Sequence, residues 1–196
     1  MASNCEEILT ADILKNCDEN PVAGLEVNII FFNKADVDYA SLTYDGSNDL
    51  ILTNFQLLST KTGYLIEGVK QSNSASTELV IKDFANSYKH LIAGAILNPS
   101  AANRKSLEAM MSGSDYVAIV ERKWKGASDA DAFICLGLDV GLTASSKTWN
   151  SKENDGVELF EMASADGFEE PKPFRTVLET NYATTLAAFG TKWAQA

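Results

Sequence analysis

The sequence predicts a mainly β protein of the α+β class with an antiparallel sheet, and three observations carry that prediction. Strand-forming stretches follow one another without regular helical crossovers, the pattern of antiparallel rather than parallel sheet. Ile134, Leu136, Leu138, Val140 and Leu142 alternate without a break, the period of a strand. Only two stretches carry the marks of helices, about 99–112 and about 181–193.

Residues 1–24 read as an N-terminal arm. They are acidic, lack sustained periodicity and end in the turn-prone Glu19-Asn20-Pro21 before Gly24, with room for one helical turn between Glu6 and Lys15. Residues 25–196 are then a single β-rich domain. Leu25–Phe32 is rich in β-branched and aromatic residues and reads as a strand buried on both faces near its end. Asp45-Gly46 marks a turn before a strand over Leu50–Leu58. Gly63–Lys70 follows, and Glu78–Leu97 holds one long strand or two shorter ones.

Asn98 can cap the first helix, with Pro99 in its first turn and Gly113 at its end. Leu107, Met110 and Met111 give it an i, i+3, i+4 stripe. Tyr116–Trp124 and Phe133–Leu142 read as a hairpin across the loop from Lys125 to Asp129, and Val157–Ala163 as a further strand. In the second helix Tyr182, Leu186, Phe189 and Trp193 fall on one face. The total is seven or eight strands and two helices.

Length and composition match an ordinary globular protein with a substantial core: 196 residues, 45% hydrophobic and 22% charged. The first residues lack the basic and apolar regions of a secretory signal, and no apolar run reaches the roughly 18 residues of a membrane helix. Cys5, Cys17 and Cys135 are odd in number and widely spaced, which argues against a disulfide framework or a zinc site. These features predict a protein made in a reducing cytoplasm, with no membrane anchor.

Charge is segregated along the chain. Residues 1–50 carry ten acids against two bases, whereas residues 51–150 are close to neutral. The acids Glu26, Asp36, Asp38, Asp45 and Asp49 fall within the first quarter of the domain. Such asymmetry shapes the external field more than the fold, and it suits a surface that repels polyanions or meets a basic partner. Arg122, Lys123 and Lys125 surround Trp124 at the hairpin. Against a net charge of −11 they do not make a specific nucleic-acid site. A basic hairpin of one subunit meeting the acidic region of the next is the alternative use, and head-to-tail contacts of that kind build rings or stacks.

Catalytic chemistry finds little purchase. His90 is the only histidine, so no His-based metal cluster forms within one chain, and its neighbours place it in a strand near the core. Cys135 sits on the strand face opposite Ile134–Leu142, without the cationic setting of a reactive thiol. No phosphate loop, dinucleotide fingerprint, nucleophile elbow or calcium loop occurs. Asp36 with Asp38, and Asp129 with Asp131, are paired acids of the kind usually solvated in loops. No enzyme, cofactor or metal is expected.

Several stretches, in order, resemble virion structural proteins of tailed phages and prophages of Bacteroidetes hosts. They are CDENPVAGL at 17–25, FNKADVD at 32–38, GYLIEGVK at 63–70, YVAIVE at 116–121, AFICLGLDVGL at 132–142, FEEPKP at 168–173 and NYATT at 181–185. None is a mechanistic motif; the resemblance rests on collinearity over nearly the whole chain. Among these proteins the chain is similar to major tail tube proteins.

That resemblance implies an antiparallel β-sandwich or barrel-like domain with a flanking helix, forming rings of typically six copies that stack into a hollow tube. It implies self-contacts within and between rings. Tape-measure, tail terminator and baseplate proteins would be partners, with double-stranded DNA passing through unbound. Glu26, Asp36, Asp38, Asp45 and Asp49 become candidates for the lumen or the ring interface, and Arg122, Lys123 and Lys125 for an inter-subunit hairpin. An acidic lumen repels DNA, whereas a basic one would bind phosphates. The alternatives are another virion role (capsid decoration, neck or head completion) and a small β-rich carbohydrate-binding or hydrolase domain.

Overall fold

The computed structural model describes residues 9, 11–14, 20–83 and 85–194. Cys5, Cys17 and most of the arm lie outside them; residues 9 and 11–14, within the predicted helical turn, carry no regular structure. Eleven strands and two α-helices follow. They are β1 (Leu25–Asn33), β2 (Thr43–Tyr44), β3 (Ile51–Asn54), β4 (Tyr64–Glu67), β5 (Ser74–Val80), β6 (Ser87–Ile96) and α1 (Ala101–Met111). Then come β7 (Tyr116–Arg122), β8 (Phe133–Leu136), β9 (Thr143–Trp149), β10 (Glu158–Ala163), β11 (Arg175–Val177) and α2 (Tyr182–Gly190).

The strands form two sheets, not a closed barrel. One has seven strands in the order β2-β3-β11-β8-β7-β1-β4, and the other four in the order β5-β6-β10-β9. Every pairing between these strands is antiparallel except β3 with β11. The layout is sandwich-like, with helices added.

The seven-stranded sheet is the middle layer, which is why its central strands are apolar on both faces. Ile29 and Phe31 of β1 join Ala118, Val120, Ile134 and Leu136 in a core shared with Ile92, Phe160 and Met162 of the four-stranded sheet and Leu107 and Met110 of α1. Ile30 and Phe32 face the other way, with Val117, Ile119, Phe133 and Cys135, into a core closed by Phe189 and Trp193. Alternation along a strand sends successive side chains to opposite faces, so each of these strands feeds both cores.

Three details depart from the sequence reading. β8 stops at Leu136 because Gly137 adopts φ +74°, a left-handed conformation suited to glycine. A Cβ there would lie 2.6 Å from Leu142 Cγ and 2.8 Å from the Tyr116 carbonyl. The apparent alternation therefore breaks: Leu138 falls into the Trp193 core, while Leu142 stays with Ile134 and Leu136. The cap of α1 is Ser100, whose side chain accepts the Asn103 N–H, so Pro99 precedes the cap and Asn98 is not it. In α2 the buried face holds Thr185 and Phe189, with Trp193 just beyond, whereas Leu186 is 40% exposed.

β2, β9 and β11 are the strands missing from the sequence reading. β2 and β11 span two and three residues. β9 reads TASSKTW and is exposed along nearly its whole length, so it shows no apolar period.

Candidate functional site

The five candidate acids belong to β1 and to loops around the seven-stranded sheet; none lies on the four-stranded one. Asp36 accepts hydrogen bonds from Asn33 Nδ2 and Lys61 Nζ, each at 2.8 Å. The Lys61 contact, then Asn33, holds its carboxyl below the usual carboxylate range. Asp38 accepts from Ser41 Oγ at 2.6 Å and the Ala40 N–H at 3.2 Å. Asp45 closes the β2–β3 turn by accepting from the Ser47 and Asn48 N–H groups at 2.9 and 3.1 Å. Asp49 pairs with Lys172 at 2.9 Å. Four of the five thus serve local turns or ion pairs, and Glu26 is a half-buried strand residue.

The basic hairpin is largely turned inward. Arg122 Nε and Nη2 donate to the Asp131 carbonyl at 3.0 and 2.6 Å, and its guanidinium lies 5.0 Å from the Trp124 ring and 5.3 Å from that of Phe174. Lys125 reaches Glu121 at 2.5 Å and Tyr182 Oη at 2.8 Å, tying the hairpin to α2. Burial opposes its charge, but those hydrogen bonds raise its pKa overall. Lys123, half-buried, packs its stem near Gly24.

Sequence reasoning missed a buried polar cluster where the two sheets meet. Glu170 is fully buried, and its carboxylate accepts the N–H groups of Asp139, Val140 and Gly141 at 2.9, 2.9 and 3.0 Å. Burial raises its pKa against the opposing pull of those three donors. Asp139 pairs with Arg175 at 2.6 Å. His90 Nδ1 accepts the Gly137 N–H, so Nε2 carries the proton and donates to the Lys172 carbonyl at 3.2 Å. Burial pushes the His90 pKa down to about 4, and burial raises that of the Cys135 thiol. Each of these polar contacts fastens a loop.

Concave surface lies elsewhere. A groove of about 1100 Å³ runs between β4 and α1, floored by Phe31, Leu107, Met110 and Tyr116. Among the described residues, no group of three or more His, Cys, Asp or Glu could hold a metal ion. No described helix is long and apolar enough to cross a membrane.

The other open surface is the four-stranded sheet. Its edge strands β5 and β9 have a partner on one side only. Ala75, Ile92, Phe160 and Met162 face the core, so the alternate positions, including Ser76, Glu78, Leu91, Ala93 and Glu161, form an outer face on which no other layer packs. That face carries one lysine, Lys89, which is paired with Asp166 at 2.6 Å. No family model matches this chain, and no curated protein or solved structure matches it.

Proposed function

We propose that this protein is a structural subunit of a phage tail tube, assembling into stacked rings around a conduit for DNA. The observation that carries the reading is the strand direction at the two edges of the four-stranded sheet. β5, β6, β10 and β9 are successively antiparallel, so β5 and β9 run in opposite directions. Copies related by rotation about a ring axis therefore bring β9 of one beside β5 of the next as an antiparallel pair. An even number of alternating strands allows this join at every interface, and closure removes the exposed edges of this sheet, which otherwise invite irregular association.

In such a ring the outer face of the four-stranded sheet lines the inside. Serine, alanine, leucine and scattered acid, with the single lysine already paired, give DNA no basic wall on which to stall. The lumen would then owe nothing to Glu26, Asp36, Asp38, Asp45 or Asp49. The collinear resemblance to tail tube proteins supports the same reading, and rings of six copies are its expectation.

Negative-stain microscopy and sedimentation of the purified protein test it. Rings and hollow tubes are expected, with species several times the 21.2 kDa of one chain. A monomer that persists at high concentration overturns the proposal.

A further inference from the structure

Joining β5 to β9, the reading on which this inference rests, uses the lateral edges of the four-stranded sheet. Its strand ends then face the rings above and below. Register fixes what sits at each end. Val80 of β5 lies opposite Ser87, and Ala163 of β10 opposite Leu91, which marks one end. Glu158 of β10 lies between Ile96 and Trp149, which marks the other.

Both ends carry exposed apolar side chains. At the first, Leu79 and Ile81 on the β5–β6 hairpin are 53% and 80% exposed, and Phe168 is 69% exposed. The Phe168 loop is held beside the hairpin by the Lys82–Glu169 ion pair and by the backbone bridge between Tyr88 and Glu170. At the second end Val69, Leu97 and Trp149 are 50%, 38% and 57% exposed. Val69 and Leu97 line one groove, and Trp149 is fixed by donating Nε1–H to the Gly156 carbonyl at 3.1 Å.

Exposed apolar side chains gathered at one end of a sheet and held in place mark contact surfaces. At the first end Lys82 is paired with Glu169 and Lys89 with Asp166. The two clusters differ in composition and lie at opposite ends of one sheet. A shift along the strand direction brings one against the other and leaves the lateral edges free. We infer that Leu79, Ile81 and Phe168 of one copy pack on Val69, Leu97 and Trp149 of a copy in the next ring. The contact is heterologous, so every ring presents one cluster upward and the other downward, and stacking continues without limit.

Two charge insertions test this, Ile81→Glu at one end and Val69→Glu at the other. Both side chains are exposed, so both variants should keep the wild-type thermal melt by circular dichroism; Ile81→Ser and Val69→Ser replace them if a melt shifts. Microscopy and sedimentation should show rings without tubes for each variant alone. Mixed together they should form pairs of rings and nothing longer, because each retains one intact end. Tubes of wild-type length from either variant overturn the contact, as does a mixture that stays in single rings. Wild-type protein that forms rings but never tubes also overturns the contact while leaving the ring intact. Wild-type protein that remains monomeric overturns the ring reading and this contact with it.

Discussion

His90 holds Gly137 across the two sheets: its Nδ1 accepts the Gly137 N–H at 3.1 Å, and the ring is 1% exposed. Protonation would set an N–H against an N–H and break that bond. Burial has already lowered the folded pKa to about 4 from an ordinary value of 6.5. The unfolded chain therefore takes up the proton first, so stability falls as pH drops below 6.5 and the loss levels off below about 4. The integrated effect is roughly 3 kcal/mol. Glu170, raised by burial, titrates with the opposite sign, so the measurement is a difference. Urea melts between pH 7.5 and 4.5 should show a steeper loss for wild type than for His90→Asn; parallel curves would remove His90 from the account.

Glu170→Ala should be among the most damaging single changes. It leaves three backbone N–H groups without their acceptor in a partly buried loop, a loss of roughly 3 kcal/mol or more. Glu170→Gln keeps one carbonyl oxygen and should cost less. Denaturant midpoints at pH 7.5 rank the two, and equal midpoints would mean the carboxylate is not what fastens residues 139–141.

The face of α2 can be read by paired substitutions. Phe189, 6% exposed, packs 5.2 Å from the Phe133 ring, and Phe189→Ala should cost about 3–5 kcal/mol. Leu186→Ala, at a position 40% exposed, should fall within about 0.5 kcal/mol of wild type. Similar losses at both sites would restore the face expected from the sequence.

Leu136 and Leu138 enter different cores although they are two residues apart. Each is 1% exposed, so Leu136→Ala and Leu138→Ala should each cost about 2–5 kcal/mol. Because their surroundings differ, the double variant should lose nearly the sum. Strong non-additivity in the unfolding free energies would place them on one face.

Removing residues 1–19 should leave the unfolding free energy within about 0.5 kcal/mol of wild type. Leu9, Ile13 and Leu14, among the described residues of that segment, are 79%, 90% and 83% exposed and contribute little to either core. A larger drop in the melt would mean the arm packs on the domain.

Local pattern was enough for β1, β7, the start of β8 and α1. Their residues repeat at the period of the element, and both faces of the strands are apolar because layers cover both sides. It was also enough to assign two helices and a largely antiparallel arrangement, since the strands follow one another too closely for helical crossovers. It could not find β9, whose polar residues take strand form only because β10 supplies a hydrogen-bonding partner.

Tertiary structure decided the rest, because the deciding interactions join residues far apart in the chain. Asp45 could be recognised as a turn residue from its neighbours, but nothing near Glu170 announces that it will grip a loop some thirty residues earlier. Gly137 looks like one more position in an alternating run until Leu142 and the Tyr116 carbonyl close around it. The sequence alone determined a mainly β chain with segregated acid. The folded chain decided that most of those candidate acids serve turns and ion pairs, and that the edges and ends of a four-stranded sheet are among its open surfaces. Charge can be counted along a chain, whereas an unpaired strand edge exists only after every other strand has found its partner.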